Sequence, residues 1–142
     1  MTADQGTYTL LLALEEQATI TFGAAGERSL TAGAYAYTGS AFGTGGFARI
    51  DRHRELAAGE RDARHWHVDY LLGHPDTQFT DVIKTVGEDV ECPVARAIAD
   101  ETTPIAGIGA SDCDCDTHLA YAPEVEDLRL TVDRAHERAQ GD

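Results

Sequence analysis

The longest uninterrupted apolar run in the chain is Leu10–Leu14. A membrane-crossing helix needs about 20 apolar residues, so no span of that kind is expected. A short apolar run without alternation suits a buried strand instead. The flanking residues agree, and Thr7–Leu14 (TYTLLLAL) is predicted as a buried-type strand. Glu15-Glu16-Gln17 then breaks the pattern, and Ala18–Phe22 (ATITF) alternates with Ile20 and Phe22 on one face. The two segments read as an antiparallel hairpin.

The rest of the chain alternates short strands with amphipathic helices. Gly23–Gly33 is glycine-rich and polar, a predicted loop. Ala34–Thr38 (AYAYT) is a strand with Tyr35 and Tyr37 on one face. The glycine-rich turn Gly39–Gly46 leads into a helix over Phe47–Ala58. His65–Gly73 fits either a short helix or a strand, and Phe79–Val86 is strand-like. Glu91–Glu101 is a helix with Pro93 in its first turn. Thr102–Asp116 reads as a loop, and His118–Tyr121 as a last short strand. Val125–Ala139 is a terminal helix with Leu128, Val132 and Ala135 on one face. With 142 residues this is one ordinary domain. The order implies an α+β fold, a small antiparallel sheet with helices.

The charge balance limits the function classes. Eleven basic residues face 25 acidic ones, for a net charge of −14. That is not the basic stripe of an ordinary nucleic-acid binder. The acids are spread along the whole chain, and Lys84 is its single lysine. Such a surface fits a chain adapted to high salt, where screening shortens charge repulsion to about 3 Å at 1 M. A cationic or metallic partner is the competing explanation. The start, Met1-Thr-Ala-Asp-Gln, carries neither a basic region nor an apolar core, so no secretory signal is expected. The three cysteines, an odd number, argue against a disulfide framework. A reduced, cytoplasmic chain is the expectation.

Three groups of residues carry candidate chemistry. In the first, Tyr8 and Tyr37 lie on predicted strands, and Arg49 and His53 share a helix face at i and i+4. Arg49 suits a forked contact with a phosphate oxygen, His53 a proton relay, and Glu91 a hard cation. Taken singly, Tyr8 and Tyr37 read first as strand tyrosines packed on a core, and Arg49, His53 and Glu91 as solvated helix residues. The second group is Cys92, Cys113, Cys115 and His118. It offers a zinc set, although Cys-x-Cys is not a common zinc spacing. The alternative is a tight loop with small buried thiols, and both readings stand. The third is His65-Trp66-His67-Val68-Asp69-Tyr70. On a strand, His65, His67 and Asp69 would form a three-ligand face; on a helix only His65 and Asp69 align. The preferred reading has Trp66 and Tyr70 anchoring the core, with His65 or His67 touching a phosphate. Gly39–Gly46 fits a phosphate cradle or a plain loop; it lacks the lysine of a nucleotide-binding P-loop. His74 and His136 read as surface residues.

The first group is also where the chain resembles a family. GTYTLLL (6–12), GAYAYTGSA (33–41), FARIDRH (47–53), HWHVDYLL (65–72), VECPVA (90–95) and GIGASDCDCDTHLAY (107–121) occur in this order. Together they resemble the GIY-YIG nuclease superfamily, specifically its small stand-alone archaeal branch of Uri superfamily endonucleases. The resemblance covers most of residues 6–121, with residues 1–122 as the nuclease-like domain and 123–142 as a helical tail outside it. It implies that Tyr8 and Tyr37 are the motif tyrosines, with Gly39 following the second. It implies that Arg49 steadies the phosphate, that His53 is its polar partner, and that Glu91 holds one divalent cation, Mg²⁺ or Mn²⁺. Glu88 is the competing acid. Gly39, Ser40, Arg52, His65 and His67 are the expected phosphate contacts. Thr7 and Thr38 stand where the motif usually has isoleucine, and both are β-branched. The Tyr8–Tyr37 gap is longer than in many members, with room for a strand at Ala18–Phe22. The implied function is metal-dependent DNA endonuclease activity, structure-selective and serving DNA repair. The alternative is a non-catalytic nucleic-acid- or zinc-binding module on the same fold.

Overall fold

The chain is described by a computed structural model over residues 5–22, 26–41, 46–59, 67–74, 76–105 and 117–141. In chain order the elements are β1 (Gly6–Leu14), β2 (Ala18–Thr21), β3 (Glu27–Leu30), β4 (Gly33–Ser40), α1 (Ala48–Ala57), α2 (His67–Leu72), β5 (Thr77–Val86), α3 (Glu91–Glu101), β6 (Thr103–Pro104), β7 (Leu119–Ala122) and α4 (Val125–Gly141). Five strands form one sheet in the order β5-β1-β4-β7-β6, with every neighbouring pair antiparallel. The fold is α+β, as the patterning implies.

β1 is apolar on both faces because it runs inside this sheet, hydrogen-bonded to β4 on one side and β5 on the other. That corrects the expected hairpin with Ala18–Phe22. β2 pairs with β3 in a separate two-stranded ribbon, and β3 falls within the segment expected to be a loop. Exposed Glu15, Glu16 and Gln17 carry the chain off the sheet after Leu14. A four-residue strand also offers β1 too short a partner; β4 matches it over Thr7–Leu14. β5 begins at Thr77, two residues before its predicted start. His65–Gly73 resolves as a helix over its described part, α2, which removes the three-ligand strand face.

The period-two alternation of β1 and β4 sorts their side chains into two cores. Tyr8, Leu10, Leu12, Tyr35 and Tyr37 face Ile50 and Leu56 of α1, Val68 and Leu71 of α2, and Ile20 and Leu30 of the β2–β3 ribbon. Leu11, Ala34, Ala36, Ala120 and Ala122 face Val94 and Ile98 of α3 and Leu128 and Val132 of α4. The alanines of β4 and β7 let both helices approach the sheet closely. Residues 123–142, expected as a tail, thus supply part of a core through α4. Among the described residues no helix is long and apolar enough to cross a membrane.

α4 corrects one further expectation. His136 is 1% exposed, not a surface residue. It follows Leu128 and Val132 on the same stripe and ends against the sheet. Its Nε2 lies 2.8 Å from Thr9 Oγ1 and its Nδ1 2.7 Å from Thr85 Oγ1. Thr9 in turn meets Thr38 Oγ1 at 3.0 Å. This buried network is paired internally, as burial of polar groups requires. Burial lowers the pKa of His136 from 6.5 to about 4. Between those values the unfolded chain binds a proton that the folded chain refuses. Stability from this residue is therefore complete above pH 6.5 and drains as pH falls toward 4, by about 3 kcal/mol. In urea unfolding at pH 7.5 and 4.5, His136→Gln should lose less stability on acidification than the parent. Equal losses would place the acid sensitivity elsewhere.

Candidate active site

Tyr8 and Tyr37 project from neighbouring strands onto the α1 side of the sheet. In the β1–β4 register Tyr8 stands opposite Gly39, and Leu10 opposite Tyr37. A Cβ on Gly39 would sit 2.6 Å from the Tyr8 hydroxyl oxygen, so glycine is what lets the phenol lie across β4. Gly39→Ala must therefore displace Tyr8 or bend β4. We expect a stability loss of about 1–3 kcal/mol, the usual cost of overpacking, read as a lowered urea midpoint with an unchanged slope. An unchanged midpoint would show that the phenol has room to move.

α1 supplies two polar groups from one face, as the i, i+4 spacing predicts. His53 is buried with Ile50 and Leu56, three residues away on either side. Its Nε2 lies 2.9 Å from the Tyr8 hydroxyl, and its ring centroid 6.4 Å from that of Tyr37, edge-on. One turn earlier, Arg49 donates to the Ser40 carbonyl oxygen at 2.5 Å and hydrogen-bonds the Tyr8 oxygen. The end of β4, where phosphate contacts at Gly39 and Ser40 are expected, is thus braced by the same arginine.

Glu91 approaches from the first turn of α3. The Thr7 hydroxyl fixes that turn: it accepts the Val90 N–H at 2.9 Å and donates to the Glu88 carbonyl at 3.0 Å. An isoleucine at position 7 would make neither bond, which gives this departure from the motif a structural role. Glu88 is exposed, and its backbone rather than its carboxylate is engaged. Glu91 Oε2 lies 3.6 Å from Nδ1 of the buried His118.

The electrostatics tie these groups together. Burial pushes both phenols well above their ordinary pKa of 10, and the Glu91 and Asp69 carboxylates push the same way. Arg49 opposes them, favouring the phenolate of each. Burial lowers the pKa of His53 from 6.5 to about 4; Asp69 pulls it back up, while Arg52 and Arg49 push it down. At neutral pH His53 is an uncharged imidazole touching a protonated phenol.

A family profile described as "Domain of unknown function DUF123" matches residues 7–141. The chain belongs to that family. Neither curated proteins nor solved structures give a match. The DUF123 match runs through α4, the helix that the sequence resemblance left out.

Not every expected site residue of this DUF123 chain converges. Arg52 grips Asp69, at 3.1 Å and 3.5 Å. Cys92 is half-buried beside Glu91 on α3. Cys113, Cys115, His65 and the side chain of His67 lie outside the described residues, as do residues 42–45 of the glycine-rich turn. Among the described residues no three His, Cys, Asp or Glu side chains come together as a metal cluster. The partly exposed Glu91 carboxylate, whose charge is felt by both phenols, does suit one hard cation.

Two residues outside the expected set stand at the site. Asp69 is fully buried, 4.0 Å from His53 Nδ1 through Oδ1. Lys84 is opposite Tyr8 in the β1–β5 register, exposed, with its ammonium 5.1 Å from the Phe47 ring centroid. The chain's one lysine therefore sits on the strand next to Tyr8. Its rarity was a signal in the sequence; its place in the site depends on strand pairing.

Proposed function

We propose that this protein is a metal-dependent DNA endonuclease of the GIY-YIG type, related to its small stand-alone archaeal branch. The observation that carries the reading is the meeting of Tyr8, Tyr37, Arg49 and His53 on one face of the sheet, with Glu91 acting on both phenols. Chance strand tyrosines would not share a histidine, an arginine and a carboxylate drawn from two helices.

In this reading a phosphodiester lies against Arg49, whose guanidinium neutralises charge building on the non-bridging oxygens. Tyr8 takes a proton from the attacking water as its own phenolic proton passes to His53 Nε2. The new bond joins the water oxygen to phosphorus. The P–O3′ bond breaks, and the departing 3′ oxygen takes a proton from solvent. His53 then releases its proton to solvent, restoring the neutral imidazole. Glu91 would hold Mg²⁺ or Mn²⁺, which when bound polarises the phosphate and favours ionised oxygens nearby. Handing the phenolic proton to His53 avoids a free phenolate, which burial disfavours.

Arg49 and Lys84 supply local positive charge on a chain of net charge −14. High salt would screen the repulsion between the acidic surface and DNA. The direct test is cleavage of nicked, branched and plain duplex DNA with Mg²⁺ or Mn²⁺ at molar KCl. Metal-dependent cutting is expected, strongest on one of the non-duplex structures. Binding without cutting by the folded protein would favour the non-catalytic module instead.

A further inference from the structure

We propose that Asp69 is a positioning residue for His53: clamped by Arg52, its carboxylate holds the imidazole proton on Nδ1 and leaves Nε2 to accept the Tyr8 phenolic proton. The inference rests on the nuclease reading for its purpose but on geometry for its content.

A carboxylate with no solvent exposure is costly unless an opposite charge and hydrogen bonds compensate it. Arg52 supplies both, its two terminal nitrogens on the two Asp69 oxygens. Arg52 is on α1, one residue before His53, and Asp69 is on α2, so the pair also fastens the two helices together. That fastening sets Asp69 Oδ1 4.0 Å from His53 Nδ1. The distance is too long for a good hydrogen bond but close enough for a strong field in a buried site.

Neutral imidazole carries one proton, and a negative charge beside Nδ1 favours placing it there. Nε2 then keeps its lone pair and faces the Tyr8 O–H at 2.9 Å. The other tautomer would aim an N–H at the phenol oxygen and could not receive its proton. When the phenolic proton does arrive, the imidazolium sits beside a carboxylate, which lowers the cost of that charge. The groups facing His53 are Tyr8 from β1, Tyr37 from β4, Asp69 from α2, and Arg49 and Arg52 from α1. Among the described residues, Asp69 is the one anion of this set. The order Tyr8–His53–Asp69 has the form of a hydroxyl, a base and an orienting carboxylate, the arrangement that enzymes reach on unrelated folds.

The test is a long-range ¹H–¹⁵N spectrum of the labelled protein at pH 7, with the His53 signals identified by their loss in His53→Gln. The expected result is a protonated Nδ1 and a bare Nε2. Asp69→Asn should shift the ring toward the other tautomer and lower kcat roughly 10–100-fold with KM little changed. A protonated Nε2 in the parent protein overturns the proposal, as does an Asp69→Asn variant with unaltered tautomer and kcat. If Asp69→Asn does not fold, the parent spectrum decides alone. A protein with the expected tautomer that cuts no DNA supports the role of Asp69 and overturns the nuclease reading, so the two failures are separable.

Discussion

Glu91→Gln should reduce metal-dependent cleavage by about a thousand-fold, the scale of the several kcal/mol a bound cation contributes, while the protein remains folded. Glutamine keeps the shape of the side chain and removes its charge. The side chain is 22% exposed in the first turn of α3, and glutamine fills the same space beside His118, so the lost charge costs the helix about 0.3–1 kcal/mol through the macrodipole. The turn itself is held by the Thr7 hydroxyl, not by Glu91. The electrostatics make the outcome diagnostic. Glu91 raises the pKa of both phenols, so its removal alone eases their ionisation. If the phenols worked without a cation, the variant would be as active as the parent or more so. A large loss, unrelieved by more Mg²⁺, identifies Glu91 as the residue through which the cation acts; cleavage rate against Mg²⁺ concentration makes the measurement.

Tyr8→Phe should cost 10²–10⁴-fold in cleavage rate, the usual contribution of a positioned acid–base group. The ring that packs over Gly39 is retained, and the oxygen 2.9 Å from His53 Nε2 is lost. The imidazole is then left with a buried nitrogen lacking that partner, at a stability cost of about 1–3 kcal/mol. Tyr37→Phe should lose less. The Tyr37 ring meets His53 only edge-on, whereas the Tyr8 hydroxyl bonds it directly. Single-turnover rates for both variants compare the two phenols; a greater loss in Tyr37→Phe would exchange their roles.

Local patterns foretold the elements better than their partners. The unbroken Thr7–Leu14 run marks a buried strand because both its faces are covered, but nothing within it says that β4 and β5 cover its edges. β3 (ERSL) gives little strand signal because its alternation is mostly polar, with Leu30 alone buried at its end. α2 stayed ambiguous because a short apolar stretch fits either period. His136 could have been read as buried, since it extends the Leu128–Val132 stripe by another turn. Polarity argued the other way until Thr9, Thr38 and Thr85 supplied its partners across the sheet.

The site divides along the same line. Arg49 and His53 were legible as a pair because four residues is one helical turn. The expectation that Arg52 meets phosphate comes from charge alone, and buried Asp69, seventeen residues on, has the stronger claim on it. In the sequence Asp69 stands in a His-rich group, and only the packing of α2 against α1 turns it toward His53.

If this constellation cuts DNA, Arg49→Ala should disable it. Single-turnover cleavage by parent and variant should be compared in Mg²⁺ at molar KCl, with urea midpoints measured alongside. The parent should cut in a metal-dependent way, and the folded variant should lose about 10²–10³-fold in rate. Equal cutting by both proteins, or none by either on any DNA structure, would contradict the nuclease reading.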